Sequence, residues 1–241
     1  MQNDTMLYSP DAFEKQEPKC KECQDTGIVF LGFDQNGYAI GKRCDCMSTR
    51  NKEKRYKNSG IPPAFGKKNF NNFIADSEIL HKLKTTAIEY AENFEPNGPS
   101  LYMCGSSGVG KTHLSIAICN ALIEKGVNVY YMIYREAINR LKQLFYKDEY
   151  AAELEPYKKV ELLYIDDLFK GSVTDQEKNI MYEIVNYRYN NQLPMIISTE
   201  LAVGGIRALD SAIAGRIEEM TRTSDSQYML IFGNLKDRRR S

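Results

Sequence analysis

The chain has 241 residues, of which 42% are hydrophobic and 27% are charged, as is usual for a globular protein of one or two domains. Basic and acidic residues number 32 each, so the overall charge does not attract the protein to nucleic acid, and such binding would need a local patch. No stretch approaches the roughly 18 consecutive apolar residues of a membrane span. The N-terminus lacks a basic start followed by an apolar run, so we expect no secretory signal and a cytoplasmic protein.

The N-terminal quarter of the chain is rich in cysteine. Cys20 and Cys23 form a C-x-x-C pair and Cys44 and Cys46 a C-x-C pair, and the turn signals and short strand-like runs between them predict a hairpin. Cysteines in the cytoplasm stay reduced, and two close thiolate pairs can surround Zn²⁺ tetrahedrally. We therefore predict a zinc-ribbon-like module in which the metal supplies folding energy. Free thiols and an iron–sulfur cluster, which the same ligands could hold, remain alternatives.

A basic segment follows the cysteines. Residues 48–58 carry five lysines and arginines against one acid, and the next segment, Ser59-Gly60-Ile61-Pro62-Pro63, breaks any helix. We place a domain boundary there, with an N-terminal module at 1–58 and a second domain at 59–241. The basic segment could contact nucleic acid or an acidic partner, or it could be a solvated linker.

Helix and strand patterns alternate beyond this boundary. Strands are predicted at 101–104, 127–132, 160–165, 195–198 and 228–232, and helices at 77–94, 111–125, 134–146, 174–191 and 209–220. Five short apolar strands alternating with helices predict an α/β fold with a mostly parallel sheet covered on both faces. Cys104 and Cys119 fall inside a strand and a helix and are expected to be core residues. His81 and His113 have no ligand-type neighbours and are interpreted as structural.

One loop carries the strongest functional signal. The pattern G-x-x-x-x-G-K-[ST] is matched by Gly105, Ser106, Ser107, Gly108, Val109, Gly110, Lys111 and Thr112. The loop follows a predicted strand and opens a predicted helix, as this phosphate-binding motif requires. Its glycines let backbone N–H groups point at phosphate oxygens, and the helix adds its positive end. Lys111 is predicted to bridge the β- and γ-phosphates of ATP and Thr112 to ligate Mg²⁺.

A pair of acids completes the predicted site. The apolar strand at 160–165 ends in Asp166 and Asp167, so both carboxylates should emerge at the carboxyl edge of the sheet, beside the phosphate loop. Asp166 is predicted to hold Mg²⁺, directly or through water, and Asp167 to orient and polarise the attacking water. These roles make the chain a predicted ATPase.

The motifs together resemble a known subgroup of AAA+ ATPases. The phosphate loop, the strand ending in the two acids, Ser198-Thr199-Glu200 and Ala214-Gly215-Arg216-Ile217 are similar to DnaC/DnaI-type replicative helicase loaders and IstB-type transposition helpers, over about residues 60–235. Residues 167–171 and a cysteine module ahead of Ser-Gly-Ile-Pro resemble phage-encoded loaders. The resemblance implies a P-loop AAA+ three-layer fold with a five-stranded sheet in the order 5-1-4-3-2. With only nine residues after the last predicted strand, we expect no helical lid.

The resemblance also implies roles for residues outside the phosphate loop. Thr199 or Glu200 would be the polar sensor of the γ-phosphate, a position where many relatives have Asn. Arg216 would reach the ATP site of a neighbouring protomer in a homo-oligomer formed with ATP, with Arg207 and Arg222 as alternatives. The adenine pocket is not identified by the sequence; candidates include Phe70 and Phe73.

Three functions remain open at this point. The first is an ATP-dependent loader that binds a DnaB-type replicative helicase through residues 1–58 and helps place it on single-stranded DNA. The second is an IstB-like transposition helper that assembles on duplex DNA, which the cysteine module disfavours. The third is a nucleotide-dependent adaptor for which hydrolysis is incidental.

Overall fold

The computed structural model describes residues 17–224, 227–233, 235 and 237. The chain divides into two compact units between Asn51 and Lys52. This division lies within helix α1, Cys46–Asn58. The predicted boundary between residues 58 and 59 coincides with the end of that helix and remains a proposal for where the domains separate.

The N-terminal unit is built on an antiparallel hairpin, as predicted. Strands β1, Ile28–Phe33, and β2, Ala39–Arg43, pair with a bulge between Phe30 and Gly32. The carboxylate of Asp34 closes the turn, because it accepts hydrogen bonds from the N–H groups of Asn36 and Tyr38, both at 2.8 Å. The side chain of an aspartate thus adds to the backbone hydrogen bonds of the turn, which join Asp34 N–H to the Tyr38 carbonyl and Gly37 N–H to the Asp34 carbonyl.

The second unit alternates strands and helices. Its strands are β3 Leu101–Gly105, β4 Val129–Ile133, β5 Leu162–Asp166, β6 Met195–Thr199 and β7 Met229–Gly233. Its helices are α2 Glu78–Glu92, α3 Lys111–Lys125, α4 Tyr134–Leu144, α5 Glu149–Lys159, α6 Asp175–Asn190, α7 Val203–Leu209 and α8 Ser211–Met220. A short 3₁₀ turn at Pro63–Phe65 precedes α2.

The five strands form one parallel sheet with the order β4-β5-β6-β3-β7. Counted from the strand that precedes the phosphate loop, and read from the β7 edge, this is the order 5-1-4-3-2, so the predicted topology is confirmed. Strand β3 lies between β6 and β7. The phosphate loop therefore leaves the sheet next to the carboxyl end of β6 and close to that of β5, where ligands of open α/β sheets bind.

Two hydrophobic clusters cover the two faces of the sheet. Successive residues of β3 contact opposite clusters, since Met103 belongs to the cluster shared with α2 and α3, and Tyr102 to the cluster shared with α4, α5, α6 and α8. This gives the predicted three layers, helices on both sides of a sheet. Cys104 and Cys119 are buried core residues, as expected.

Two helices were missed by the sequence patterns. Helix α5 contains Pro156 and buries only Leu154 and Tyr157, so its hydrophobic periodicity is weak. Helix α7 spans seven residues and includes two glycines, which are poor helix formers. The helix predicted from residue 209 begins at Ser211, because the Asp210 side chain caps it by accepting from the N–H groups of Ala212 and Ile213.

No helix within the described part of the chain has the length and apolar character required to span a bilayer. The expected lack of a helical lid concerns residues 234–241, where only Leu235 and Asp237 are described, so it stays a prediction.

Candidate nucleotide site and cysteine cluster

The phosphate loop joins the end of β3 to the start of α3. Gly110, the N-cap of α3, has a left-handed backbone with φ +109°, and a Cβ there would come within 2.8 Å of the Phe73 ring. A larger residue would therefore be strained and would also displace a buried aromatic side chain. Because Gly110 offers no capping side chain, the first N–H groups of α3 face the loop without one, as an anion site requires.

Lys111 is held over this loop by the loop's own backbone. Its ammonium group donates to the carbonyl oxygens of Gly105 and Ser106 at 2.7 and 2.8 Å, and the residue is 5% exposed. Burial lowers the pKa of Lys111, while the acids around it oppose that shift. A phosphate oxygen is a stronger acceptor than a carbonyl, so a bound nucleotide would attract the ammonium group from these contacts.

The predicted magnesium ligands lie next to each other. The Thr112 hydroxyl donates to Oδ1 of Asp166 at 3.1 Å, and the same oxygen accepts from Tyr164 at 2.6 Å and from Ser198 at 2.5 Å. The other carboxylate oxygen, Oδ2, accepts from the Tyr131 hydroxyl at 2.8 Å. A carboxylate with four donors is fixed in position, which suits a group that must present an oxygen to Mg²⁺ together with Thr112.

Sequence reasoning missed the three donors on strands β4, β5 and β6. Burial, reinforced by the nearby Asp166 charge, raises the pKa of Tyr131 and Tyr164, so both phenols remain protonated donors. The sequence could have indicated the two tyrosine donors through their positions in the strands. Tyr164 lies two residues before Asp166 on β5, on the same face of the strand, and Tyr131 lies one strand away.

Asp167 lies in a strained turn directly after β5. Its backbone has φ +57°, a left-handed conformation that non-glycine residues adopt only where the surroundings enforce it, and its N–H donates to Ser198 Oγ at 3.2 Å. Its carboxylate pairs with the Lys170 ammonium at 2.7 Å, and that ammonium also lies 3.5 Å from Glu200. The predicted water-orienting acid is therefore part of a three-residue charge cluster beside the phosphate loop.

The two candidates for the γ-phosphate sensor differ in surroundings. Thr199 is fully buried, and its hydroxyl donates to the Leu168 carbonyl at 2.7 Å and accepts from the Leu201 N–H at 3.2 Å. The Glu200 side chain is 42% exposed and reaches Lys170. The Thr199 hydroxyl is thus engaged by backbone groups, whereas Glu200 belongs to the charge cluster.

A cavity of about 460 Å³ lies between the phosphate loop and residues 68–74. Its volume falls in the usual range for small-ligand sites. Phe73 is 4% exposed and stands edge-on to the His113 ring at 5.3 Å, while Ile74, on the cavity wall, is 71% exposed. Phe70 packs against the hydrophobic core and is not on that wall.

His113 connects the cavity wall to helix α3. Its Nε2 lies 2.9 Å from Oδ1 of Asn72 and 3.2 Å from the Asn69 carbonyl, so it contacts two residues of the segment that faces the phosphate loop. Its interpretation as structural agrees with these contacts, because they hold the cavity wall against α3.

Arg216 lies on α8, away from the cavity of its own chain. Its guanidinium donates to Asn186 Oδ1 at 2.9 Å and to the Tyr182 hydroxyl at 3.1 Å, and it stacks over the Tyr182 ring at 4.8 Å. The alternatives both lie near Glu218, which pairs with Arg207 and is 3.9 Å from Arg222. None of these arginines lines the cavity beside the phosphate loop.

The cysteine cluster in the N-terminal unit brings the predicted ligands together. The sulfur atoms of Cys20, Cys23, Cys44 and Cys46 all lie within 4.8 Å of one another, with Cys20–Cys44 at 3.7 Å and Cys23–Cys46 at 3.4 Å. A tetrahedron with metal–sulfur bonds of about 2.3 Å has edges of about 3.8 Å, so the four sulfurs fit one Zn²⁺. None of these four cysteines forms a disulfide.

The surrounding backbone supports metal binding. Gly27 N–H donates to the Cys23 sulfur at 3.4 Å, and the Asp25 carboxylate accepts from the Cys20 N–H at 3.0 Å, which orients the first ligand pair. Burial raises the pKa of Cys23, but the Gly27 N–H and the neighbouring thiols outweigh it and bring that pKa down to about 7. Burial and the hydrogen bonds among the thiols raise the pKa of Cys44 and Cys46 instead, so a metal ion would have to displace their protons on binding.

Comparison with known proteins places the second unit in a family. The profile of the IstB-like ATP binding protein family matches residues 48–215, well over half of the chain. The chain belongs to this family. Membership makes the phosphate loop and its acids part of an ATP-binding fold, in agreement with the geometry of the site.

Several known proteins are similar to this chain over most of its length. YqaM, an uncharacterized protein of Bacillus subtilis (strain 168), is 36% identical over 193 residues, or 75% of this chain and 61% of YqaM. XkdC of the phage-like element PBSX from the same organism is 32% identical over 224 residues, 88% of this chain and 81% of XkdC. The replicative helicase loader DnaC of Escherichia coli (strain K12) is 26% identical over 211 residues, 85% and 84% of the two chains. For YqaM, the matched 61% is less than two thirds of its length.

Solved structures of the family confirm the fold. The crystal structure of the DnaC helicase loader matches with a TM-score of 0.62 at 26% identity, over 70% of this chain and 99% of that chain. The DnaI structure matches with a TM-score of 0.61 at 23% identity, over 74% and 95%. The IstB-like chain thus has the AAA+ fold expected from its motifs, and its resemblance to the helicase loader DnaC and to a protein of a phage-like element is confirmed.

Proposed function

We propose that this chain is an ATP-dependent loader that binds a DnaB-type replicative helicase and helps place it on single-stranded DNA. One observation carries the proposal: the predicted magnesium ligands Thr112 and Asp166 lie in contact at 3.1 Å beside the phosphate loop, in a chain similar to DnaC over most of its length. The nucleotide site supports an activity that depends on ATP. The similarity to the helicase loader DnaC supports a replicative helicase as the partner.

The site residues take the following proposed roles. Backbone N–H groups of residues 105–110 and the Lys111 ammonium bind phosphate oxygens, and Thr112 and Asp166 hold Mg²⁺, which would stabilise charge on the phosphates. Asp167 orients the water that attacks the γ-phosphate. The γ-phosphate sensor stays assigned to Thr199 or Glu200: the Thr199 hydroxyl would have to leave its backbone partners, and the Glu200 carboxylate, which only accepts hydrogen bonds, would act through the Lys170 ammonium that it pairs with.

The N-terminal module is the proposed helicase-binding element. Its hairpin exposes large apolar side chains, and the exposed fractions reach 69% at Phe33 and 72% at Tyr38. The others are Ile28, Phe30, Leu31 and Ile40. Apolar side chains grouped on a small module mark a surface for another protein. Zn²⁺ bound by the four cysteines would hold this surface in shape.

Oligomerisation and DNA contact belong to the same proposal. Arg216 does not reach the phosphate cavity of its own chain, as expected of a residue that acts on a neighbouring protomer. Phosphoryl transfer gains from an added positive charge at the transition state, so hydrolysis should be weak in the monomer. In this proposal, the complex of loader and helicase assembles on single-stranded DNA in the cytoplasm.

Reconstitution with a DnaB-type helicase tests the proposal. The full-length, zinc-replete chain should bind the hexameric helicase with ATP and increase its loading onto a single-stranded circle coated with single-strand-binding protein. Lys111→Ala should abolish nucleotide binding and loading, whereas Lys147→Ala, at an exposed lysine between α4 and α5, should leave both unchanged. Absence of helicase binding at micromolar concentrations would contradict the proposal.

The same experiment separates the other two functions. ATP-dependent filaments on duplex DNA, without helicase binding, would identify a transposition helper. Tight nucleotide binding with background hydrolysis that neither DNA nor helicase increases would identify a nucleotide-dependent adaptor.

A further inference from the structure

We propose that Lys170 discriminates ATP from ADP by exchanging its ion pair with Asp167 for the terminal phosphate. Lys170 would be a second lysine of the phosphate site and would release the water-orienting acid only when a γ-phosphate is present. This inference rests on the proposed ATPase site and assigns a role to a residue outside the phosphate-loop motif.

The geometry places Lys170 between the acids and the nucleotide cavity. Its ammonium lies 2.7 Å from Asp167 and 3.5 Å from Glu200, and its side chain lines the cavity together with Lys111 and Gly108. The side chain is 48% exposed, so it has room to move. Lysine is a point charge on a flexible stem and can transfer between acceptors without moving the backbone.

The main chain at Lys170 is fixed, and this restricts any movement to the side chain. The neighbouring Phe169 is 2% exposed and has a left-handed φ of +57°, so a buried ring anchors a strained backbone. The Lys170 carbonyl accepts from Arg135, whose guanidinium also pairs with the buried Glu177 at 3.3 Å. The ammonium group is therefore the part of this residue that can respond to a ligand.

Lys170 adds a second fixed cation to a site that is rich in acids. Asp166, Asp167 and Glu200 all act electrostatically on Lys111, so three described acids surround one phosphate-loop lysine. A γ-phosphate would add further negative charge close to Asp167 and Glu200. The hydrogen bond and charge of Asp167 raise the pKa of Lys170, so the ammonium stays charged and can neutralise the added phosphate.

The exchange would couple nucleotide state to catalysis. While Lys170 pairs with Asp167, the carboxylate has a fixed cation and is a poor acceptor for a water proton. A γ-phosphate would attract the ammonium group and leave Asp167 free to accept a hydrogen bond from the attacking water. With ADP, which lacks that phosphate, the Asp167–Lys170 pair would persist.

Nucleotide affinities measured by calorimetry test this role without relying on hydrolysis. Lys170→Met should weaken binding of a non-hydrolysable Mg-ATP analogue about tenfold, the value of one charge-assisted hydrogen bond, and change Mg-ADP affinity less than about twofold. Lys170→Arg should restore most of the preference for triphosphate. Lys178→Met is the matched control, because Lys178 forms the same i,i+3 pair with Asp175 outside the site and should change neither affinity.

Each outcome separates this inference from the proposed function. Equal loss of both affinities in Lys170→Met would show a general phosphate contact or a structural role, and unchanged affinities would show that the lysine is irrelevant to binding. Either result overturns the inference while leaving the ATP site intact. A wild-type chain that binds neither nucleotide would instead contradict the proposed function itself. Equal melting temperatures of the variants would confirm that they are folded.

Discussion

The Thr112 hydroxyl and the Asp166 carboxylate, 54 positions apart in sequence, meet at 3.1 Å where helix α3 begins and strand β5 ends. The parallel sheet produces this contact, because it brings the phosphate loop and the end of β5 to the same edge. The oxygen that accepts from Thr112 accepts two more hydrogen bonds, so its position is fixed before any metal binds.

Asp166→Asn should abolish magnesium-dependent nucleotide binding. An amide would present its NH₂ group to some of the four hydroxyl donors that now surround a carboxylate, and it removes the negative charge that attracts Mg²⁺. Tyr131→Phe removes one of the donors and keeps the ring, so we expect a loss of about 1 kcal/mol in the free energy of unfolding and a smaller loss of affinity. Titration with Mg-ATP and urea denaturation measure the two effects. Full magnesium-dependent binding by Asp166→Asn would refute the assignment.

Glu177 should make the stability of the fold depend on pH. Burial would raise its pKa, but the Thr174 N–H and the ammonium of Lys142 outweigh it and hold that pKa below the usual range. The ionised form therefore stabilises the fold above the unfolded-state pKa of about 4.3, and this contribution is lost as pH falls through the folded-state value.

Glu177→Gln is the corresponding variant. We expect it to lose about 2 kcal/mol at pH 7, because the side chain also pairs with Arg135. The difference from wild type should shrink as pH falls from the unfolded-state pKa of about 4.3 through the lower folded-state value, below which both chains carry a neutral side chain. Urea denaturation at several pH values measures it, and a constant difference across that range would contradict the prediction.

The sequence predicted the sheet and the ligand-binding edge because both follow from local patterns. Strands such as β5 are short apolar runs, and Gly110-Lys111-Thr112 is a motif whose chemistry needs those residues in that order. The helices that were not predicted have weak helix signals in the sequence. Helix α5, for example, contains Pro156 and buries few apolar residues. The ion pair between Asp167 and Lys170 could not be predicted. It depends on left-handed backbone conformations at Asp167 and Phe169, which neither residue type predicts.

The prediction for β6 illustrates the same limit. Thr199 and Glu200 are adjacent in sequence and equally polar, so pattern alone could not choose between them. The fold separates them, because Thr199 ends the strand fully buried while Glu200 lies outside it. The different surroundings of the two side chains follow from the packing of the 168–170 loop against β6, where the Thr199 hydroxyl donates to the Leu168 carbonyl.

Zinc binding by the N-terminal cysteine cluster is directly measurable. The purified chain should carry one zinc per molecule by elemental analysis, and Cys44→Ser should lose it, because three thiolates bind Zn²⁺ less tightly than four. Cys104→Ala is the control, since Cys104 is buried in the second unit and should leave the zinc content unchanged. Stoichiometric iron and sulfide with visible absorption would identify an iron–sulfur cluster instead.

Arg188 should be essential for stability despite having no role at the nucleotide site. It is fully buried on α6, where its guanidinium donates to five backbone carbonyls. Burial lowers its pKa to about 9. Arg188→Met would leave these carbonyls without their donor, so we expect a loss of at least ~3 kcal/mol in unfolding free energy.

The matched control for this effect is Arg140→Met. Arg140 is an arginine with 66% side-chain exposure that pairs with Glu153, and exposed pairs contribute about 0–1 kcal/mol. Urea denaturation of both variants measures the contrast. Similar losses from the two substitutions would show that the buried guanidinium is no more important than a surface ion pair.

Arg216 provides a test of action between protomers. If it stabilises the transition state of a neighbouring site, Arg216→Ala should reduce hydrolysis on the order of a thousandfold and leave ATP affinity nearly unchanged. Arg207→Ala, on the adjacent helix α7, serves both as the control and as a test of the alternative arginine.

Mixing two inactive variants gives the decisive measurement. Lys111→Ala lacks a working phosphate loop but keeps Arg216, and Arg216→Ala keeps the loop, so interfaces between the two should combine an intact site with an intact arginine. ATPase activity should therefore reappear on mixing and increase with total protein concentration. Because Arg216 also contacts Asn186 and Tyr182 within its own chain, an inactive mixture of folded, co-assembling variants would show that the arginine acts structurally through α6 and not on a neighbour's nucleotide.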